Sequence, residues 1–210
     1  MCSSDLTGTT LTTNFPVDLA VSQYTGGDPA VWYDRLRGAN SPNYTTALPY
    51  LRSDATTAEA TYAYSRAWNN TSIQVPAYYN NVPTVWWNFR RAPGFFDVVC
   101  YTGTGVDGAT FNHNLTVVPE LMIVKLRSAA TDNWFVYSSA LGATKALYLN
   151  ATSAAATSVG FWNDTAPTNS VFSTYSAFTN QSGQTYVAYL FATVAGVSKV
   201  GSYKIGRAHV

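Results

Sequence analysis

Short apolar stretches separated by turn-forming residues run along the chain, and in its carboxy-terminal half they are legible strand by strand. Phe96, Val98 and Cys100 alternate with Asp97, Val99 and Tyr101 before a turn at Thr102 to Gly105. Glu120 to Leu126 is a mostly apolar run that suits a buried strand, and Trp134 to Ser138 is another, ending near Gly142. Lys145 to Leu149 alternates, and Tyr186 to Thr193 forms a further apolar run. Polar connections at Ser128 to Asn133 and Asn180 to Gly183 separate them. Several short strands per roughly 100 residues predict an all-β chain of tandem antiparallel β-sandwich modules. One segment departs from this pattern: Ala55 to Ala63 is expected to make a short helical turn, with Asp54 as its cap.

The same landmarks occur twice. Val85, Trp86, Trp87, Asn88 and Phe89 are followed by Gly94, Val98 and Tyr101. At an offset of 102 positions stand Val187 to Phe191, then Gly196, Val200 and Tyr203. Phe15 to Leu19 answers Val118 to Leu121, and Val31 to Tyr33 running to Gly38 answers Phe135 to Tyr137 running to Gly142. Trp68 to Thr71 answers Trp162 to Thr165. The step from glycine to tryptophan is thirty residues in the first copy and twenty in the second, an offset that belongs in a surface loop. Two homologous modules of about 100 residues each are expected. Their borders are set at 7–93 and 94–195, with 196–203 as the opening of a third. Thr7, Gly8 and Thr9 match Thr102 to Gly105, so the first module is expected to lack its first strand.

Both ends read as a translated sequencing-library adapter. Met1 to Leu6 matches one adapter strand with GTG as the start codon, and Lys204 to Val210 matches the other strand before a stop. Residues 1–6 and 204–210 are therefore expected to be scars, and are set aside. Without Cys2, Cys100 is the one remaining cysteine, and without His209 the one histidine is His113. Setting aside Asp5, Lys204 and Arg207 leaves ten acidic and ten basic residues, a balance that disfavours nucleic acid and anionic membrane as partners. Aromatic residues make up 15% of the chain, with fifteen Tyr and six Trp, enough to bury a core and to favour strands. Membrane insertion is not expected, because the longest apolar run, Tyr186 to Val197, is shorter than the ~20 residues a spanning helix needs.

Catalytic chemistry finds little support. His113 sits beside a turn in Phe111 to Asn114, with Thr13 or Asn14 at the matching place, and is read as a loop hydrogen-bonder. Cys100, answered by Ser202, is read as a small buried side chain. No Cys and His stand at zinc spacing and no acidic loop has calcium-binding form, so no metal or cofactor is expected. A glycosidase needs two facing carboxylates, whereas these acids are scattered. Glu120 and Asp18 match between modules and are read as charged strand ends. Arg35, Arg37, Arg90 and Arg91 are read as exposed or interface residues. The seven Asn-x-Ser/Thr triplets are those expected by chance of a chain rich in Asn and Thr. The candidate glycan-binding residues are Trp68 and Asn69 with Trp162, Asn163 and Asp164. Indole faces stack on sugar rings while Asn and Asp bond hydroxyls. The alternative is that each Trp plugs a sandwich core and its Asn makes the next turn.

Pro119 to Lys125, Val136 and Tyr137 running to Gly142, and Thr185 to Phe191 resemble tandem β-rich modules of unknown function in virion proteins of tailed bacteriophages. The first half departs from the pattern at Ala20 to Gln23, where the lysine is absent, and at Trp86 to Asn88. The resemblance implies a lectin-like, jelly-roll sandwich in a tail fibre or other virion surface protein, and no catalytic residue. The expected function is accordingly non-enzymatic: rigid display at the virion surface, with weak multivalent contact to host-surface glycans. The expected partners are other virion subunits, host glycan and further copies of the chain in a homo-oligomer. The alternatives are a carbohydrate-binding array attached to a polysaccharide depolymerase, and a bacterial or prophage surface adhesin.

Overall fold

In the computed structural model, residues 10–27, 29–38, 48–62, 68–74 and 83–202 are described. The expected scars, the Thr7 to Thr9 match, Tyr203 and Ala63 lie outside the described residues. Every regular element among the described residues is a β-strand, and all pairings are antiparallel.

The amino-terminal half holds β1 (Thr10–Thr12), β2 (Leu19–Tyr24), β3 (Val31–Asp34), β4 (Leu48–Arg52), β5 (Ala60–Tyr62), β6 (Ser72–Gln74) and β7 (Thr84–Phe89). The carboxy-terminal half holds β8 (Phe96–Thr102), β9 (Thr110–Asn112), β10 (Leu121–Leu126), β11 (Phe135–Ser138), β12 (Lys145–Tyr148), β13 (Ala156–Thr157), β14 (Val171–Ser173) and β15 (Thr185–Phe191). The strands assemble as a five-stranded sheet in the order β5-β4-β3-β2-β7 and a six-stranded sheet in the order β13-β12-β11-β10-β15-β8. Each large sheet is accompanied by a two-stranded one, β1-β6 or β9-β14.

Register repeats along with strand order. Leu19 pairs with Phe89 and Ser22 with Trp86, as Leu121 pairs with Phe191 and Val124 with Ala188. Ala20 faces Tyr33 as Met122 faces Tyr137, and Tyr50 faces Ala60 as Ala146 faces Ala156. The turn leaving β7 closes Ala92 on Phe96 through Gly94, and the turn leaving β15 closes Val194 on Ser198 through Gly196. Both glycines hold a positive φ, 76° and 75°, which the tight reversal requires and a Cβ would strain. Asp18 and Glu120, expected only as charged strand ends, have matching duties at these crossings: their carboxylates accept the N–H of Arg91 (2.7 Å) and of Thr193 (2.9 Å). The longer connection in the first half runs between β3 and β4, 35–47 against 139–144 between β11 and β12, and 39–47 of it lie outside the described residues.

The apolar runs are nearly continuous because both faces of each large sheet are covered. On β10, Met122, Val124 and Leu126 face a core shared with Tyr137, Phe161, Trp162, Phe172 and Tyr186. On β2 and β3, Ala20, Val31 and Tyr33 face a core shared with Trp68, Ile73 and Trp86. The opposite faces of the two sheets meet each other: Leu19, Val21, Trp32 and Leu51 pack with Val98, Ile123, Trp134, Val136, Val187 and Tyr189. Equivalent positions supply both sides, Leu19 and Val21 from β2, Leu121 and Ile123 from β10. Phe89 and the residue matching it, Phe191, touch edge to face at 5.7 Å.

The helical turn expected over 55–63 does not form. Residues 53–55 make a turn, and Ala60–Tyr62 is a strand paired with β4. Cross-strand pairing and the stack of Tyr62 on Tyr50 (4.1 Å between ring centres) outweigh the local preference of alanine for helix. Asp54, expected as a helix cap, bonds the Arg52 guanidinium instead.

Sharing one buried layer couples the halves. Ile123→Ala is expected to cost about 2–5 kcal/mol and to lower a single unfolding transition seen alike by probes in either half. Two separated transitions in calorimetry would show the layer to be dispensable.

Candidate functional site

Both candidate tryptophans are structural. Trp68 is 3% exposed in the amino-terminal core, and Trp162 is fully buried in the carboxy-terminal one, edge-on to Tyr137 at 5.9 Å. The Trp162 indole N–H donates to the Lys145 carbonyl (3.0 Å), tying the loop after β13 back to β12. Their faces are covered by protein, so stacking on a sugar is not open to either ring.

The polar neighbours lie nearer the surface. The Asn69 side-chain oxygen accepts the N–H groups of Thr71 and Ser72 (both 2.8 Å) and the Thr71 hydroxyl, closing the turn that leads into β6. Asn163 and Asp164 adopt left-handed backbone, with φ of 55° and 49°, a conformation that Asn and Asp tolerate better than other side-chain-bearing residues. Asp164 is exposed, and the Asn163 amide would meet a Cβ placed at Gly108, so that glycine leaves room for it. Of the five expected residues the structure therefore leaves Asn163 and Asp164 as the pair with polar groups displayed together.

His113 has both ring nitrogens in use. Nδ1 accepts the Leu115 N–H (3.2 Å) and Nε2 faces the Thr168 carbonyl (3.1 Å), which fixes the proton on Nε2. Burial holds the imidazole below its usual pKa, against the pull of the Thr168 carbonyl and Asp97, so it is neutral as this bonding requires. Thr13, at the matching place, makes a similar local bond to the Phe15 carbonyl. Cys100 is half-buried on β8, and burial together with Asp34 pushes its thiol up to about 11, away from thiolate chemistry. Among the described residues no three His, Cys, Asp or Glu side chains converge as metal ligands.

The largest set of ionisable groups lies where the two sheets meet. Asp34, at the end of β3, pairs with Arg37 and accepts the Tyr189 hydroxyl (2.7 Å) from the opposite sheet. Arg37 also donates to the Trp32 carbonyl (2.9 Å) and to Glu59 (2.8 Å), and Glu59 takes a two-pronged bond from Arg127 (both 3.0 Å). Burial alone would lower Arg37, but Asp34, Tyr189 and Glu59 outweigh it and raise its pKa. Burial alone would raise Glu59, but Arg127 and Arg37 hold it below the usual carboxylate range. Tyr189 is pushed well above 10, by burial first and by Asp34 against the opposing pull of Arg37. Lys125, fully buried on β10, donates to the carbonyls of Thr56 (2.9 Å) and Asp132 (2.8 Å), and burial lowers it to about 8 despite Asp132. The Trp134 indole donates to the Arg52 carbonyl (2.8 Å). Each of these links joins one half to the other or buttresses a residue that does. Sequence reading placed Arg37 only as exposed or interfacial, and the structure assigns it the interface. Arg91 joins the interface too, through Asp97 (2.7 Å), while Arg35 pairs with Asp18 (3.6 Å) and Arg90 is exposed. The one hint in the sequence was Lys125 within an otherwise apolar run.

A family model, a domain of unknown function (DUF7483), matches residues 90–208. No curated protein and no solved structure matches the chain.

Trp162→Ala should cost about 3–5 kcal/mol in chemical denaturation, as a large buried aromatic does. A wild-type midpoint would return the ring to the list of surface contacts. The buried Lys125 gives a second test. Its folded pKa, about 8, lies below the usual 10.5, so between those values the unfolded chain holds a proton the folded one has lost. Stability should therefore rise with pH from about 8 to about 9, above which the Cys100 thiol, held protonated in the fold up to about 11, offsets the gain, and the rise should vanish in Lys125→Met. A flat wild-type profile of melting temperature against pH would show that the ammonium stays charged in the fold.

Proposed function

The chain belongs to the DUF7483 family, and from that premise we propose that it is a non-enzymatic structural and adhesive protein of a virion surface, built from two copies of one β-sandwich unit. The observation that carries this reading is the repeated register. Three strands in each half pair residue for residue at matching positions, a matching turn follows each set, and matching faces are buried against each other. The units are proposed to meet at 93/94, with 195/196 closing the second.

Reactive groups with structural duties support a non-enzymatic role. His113 and Cys100 serve the fold, and Asp34 and Glu59 are neutralised by arginines inside the interface. A pair of sandwiches locked back to back suits rigid display, the task of a tail fibre or related virion component assembled with other virion subunits. The resemblance of Pro119 to Lys125 and Thr185 to Phe191 to phage virion modules supports the same setting. With the tryptophans in the cores, contact with host glycan falls to Asn163 and Asp164, strengthened by repetition across a particle.

The test is binding of the whole chain to a panel of bacterial surface polysaccharides, with release of reducing ends followed in parallel. Binding should fall about tenfold or more in Asn163→Ala/Asp164→Ala at an unchanged melting temperature. Absence of binding across the panel removes the adhesive role, and release of reducing ends removes the non-enzymatic one.

A further inference from the structure

The two large sheets differ by one strand. In the carboxy-terminal sheet β15 lies between β10 and β8, whereas among the described residues β7 has β2 on one side and no strand on the other. Hydrogen bonds to β2 run from the odd-numbered residues of β7, as shown at its ends by the Pro83 carbonyl taking the Thr25 N–H and the Phe89 carbonyl taking the Asp18 N–H. Alternation then directs the backbone groups of Trp86 and Asn88 toward the open edge. The Asn88 side-chain oxygen is buried there without a hydrogen-bond partner.

The packing of the halves indicates what belongs on that edge. Equivalent faces meet, and the contacts are reciprocal. Phe89 touches its own counterpart Phe191, Lys125 bonds the backbone of Thr56, and their counterparts Gln23 and Thr152 line one shallow groove. The relation is thus close to a twofold rotation. The chain leaves β7, turns through Gly94 and lays β8 along β15. The same rotation applied to that path leaves β15, turns through Gly196 and arrives at the free edge of β7 in the same molecule. Residues 198–202 line, with Phe89 at the end of β7, Phe95 and Phe191, a groove of about 640 Å3. The turn at Val194 and Ser198 matches the turn that launches β8, and beyond it the Val200 N–H, bonded to the Thr193 hydroxyl (3.0 Å), is the one backbone donor of 199–202 engaged among the described residues.

We infer that the edge of β7 is a strand-acceptor site, and that its occupant is the chain's own segment from Ser198 to Ser202. This rests on reading the halves as copies. Transposing the β8–β15 register sets Ser198 opposite Phe89, Lys199 opposite Asn88, Val200 opposite Trp87, Gly201 opposite Trp86 and Ser202 opposite Val85. Lys199 brings a donor to the orphaned Asn88 oxygen, and Val200 covers Trp87, which is 41% exposed. Gly196 to Ser202 then complete the first unit, giving two six-stranded sheets.

The test is a disulfide between Trp87→Cys and Val200→Cys in full-length chain carrying Cys2→Ser and Cys100→Ser. Opposed residues of a non-hydrogen-bonded pair bring their Cβ atoms within bonding reach, whereas Trp87→Cys with Gly201→Cys, one residue out of register, should not link. An intrachain link in the first variant and none in the second is the expected result. No link overturns the inference, and a link formed only between chains, rising with protein concentration, overturns it in favour of a second copy. In parallel, the amides of Trp86 and Asn88 should exchange about tenfold faster or more in Gly201→Pro than in wild type at equal near-ultraviolet circular dichroism. Equal exchange in the two proteins counts against the site. A failed link leaves the repeated registers as they are, so the two-copy reading falls only with its own observations.

Discussion

When Leu19, Val21 and Trp32 close against Ile123, Val136 and Tyr189, the outer face of each sandwich becomes interior, and polar groups that a lone sandwich leaves in water must be satisfied there. Asp34, Arg37, Glu59, Arg127 and Tyr189 answer that requirement together. None of the four charged members could be buried alone, because removing one partner of a buried pair costs about 3–5 kcal/mol. The apolar layer and the charged set therefore stand or fall together. The aromatic contacts of Trp32 with Trp134 (5.3 Å) and with Tyr189 (5.1 Å) seal the same junction.

Much of the fold was legible in the sequence because strands buried on both faces leave a dense apolar signal. Leu121–Leu126, Phe135–Ser138, Lys145–Tyr148 and Thr185–Phe191 fall where periodicity placed them. What sequence could not convey was which partner covers the second face. Val136 and Val124 look alike in a pattern, yet one faces the other sheet and the other its own core. The helical turn expected at Ala55 to Ala63 was lost to the same blindness, since β5 exists by virtue of β4, about ten residues earlier in the chain.

The candidate site was legible in part. Repetition of the Trp-Asn landmark marked a place the fold depends on, but repetition alone does not separate a core plug from a ligand platform. Burial does, and it takes Trp68 and Trp162 for the cores while leaving Asn163 and Asp164 at the surface. The charged set escaped notice because, apart from Asp34 and Arg37, its members are far apart in sequence. Asp34 and Tyr189 stand 155 positions apart, and only their contact gives either a meaning.

The backbone of the pair is nearly symmetric, but its buried charges are not. Where the first half carries Asp34, Arg37 and Glu59, the second carries Ser138, Leu141 and Ala155, and where the second carries Lys125 and Tyr189, the first carries Gln23 and Trp87. Two first halves from neighbouring chains, meeting through the same face, would each bring two acids and one arginine, with no tyrosine or Arg127 to receive the surplus acid. Units of like strand order on one chain are prone to swapping partners while they fold. Placing complementary groups on opposite members makes the correct marriage the one that leaves no charge stranded, so the asymmetry acts as an address label read during folding.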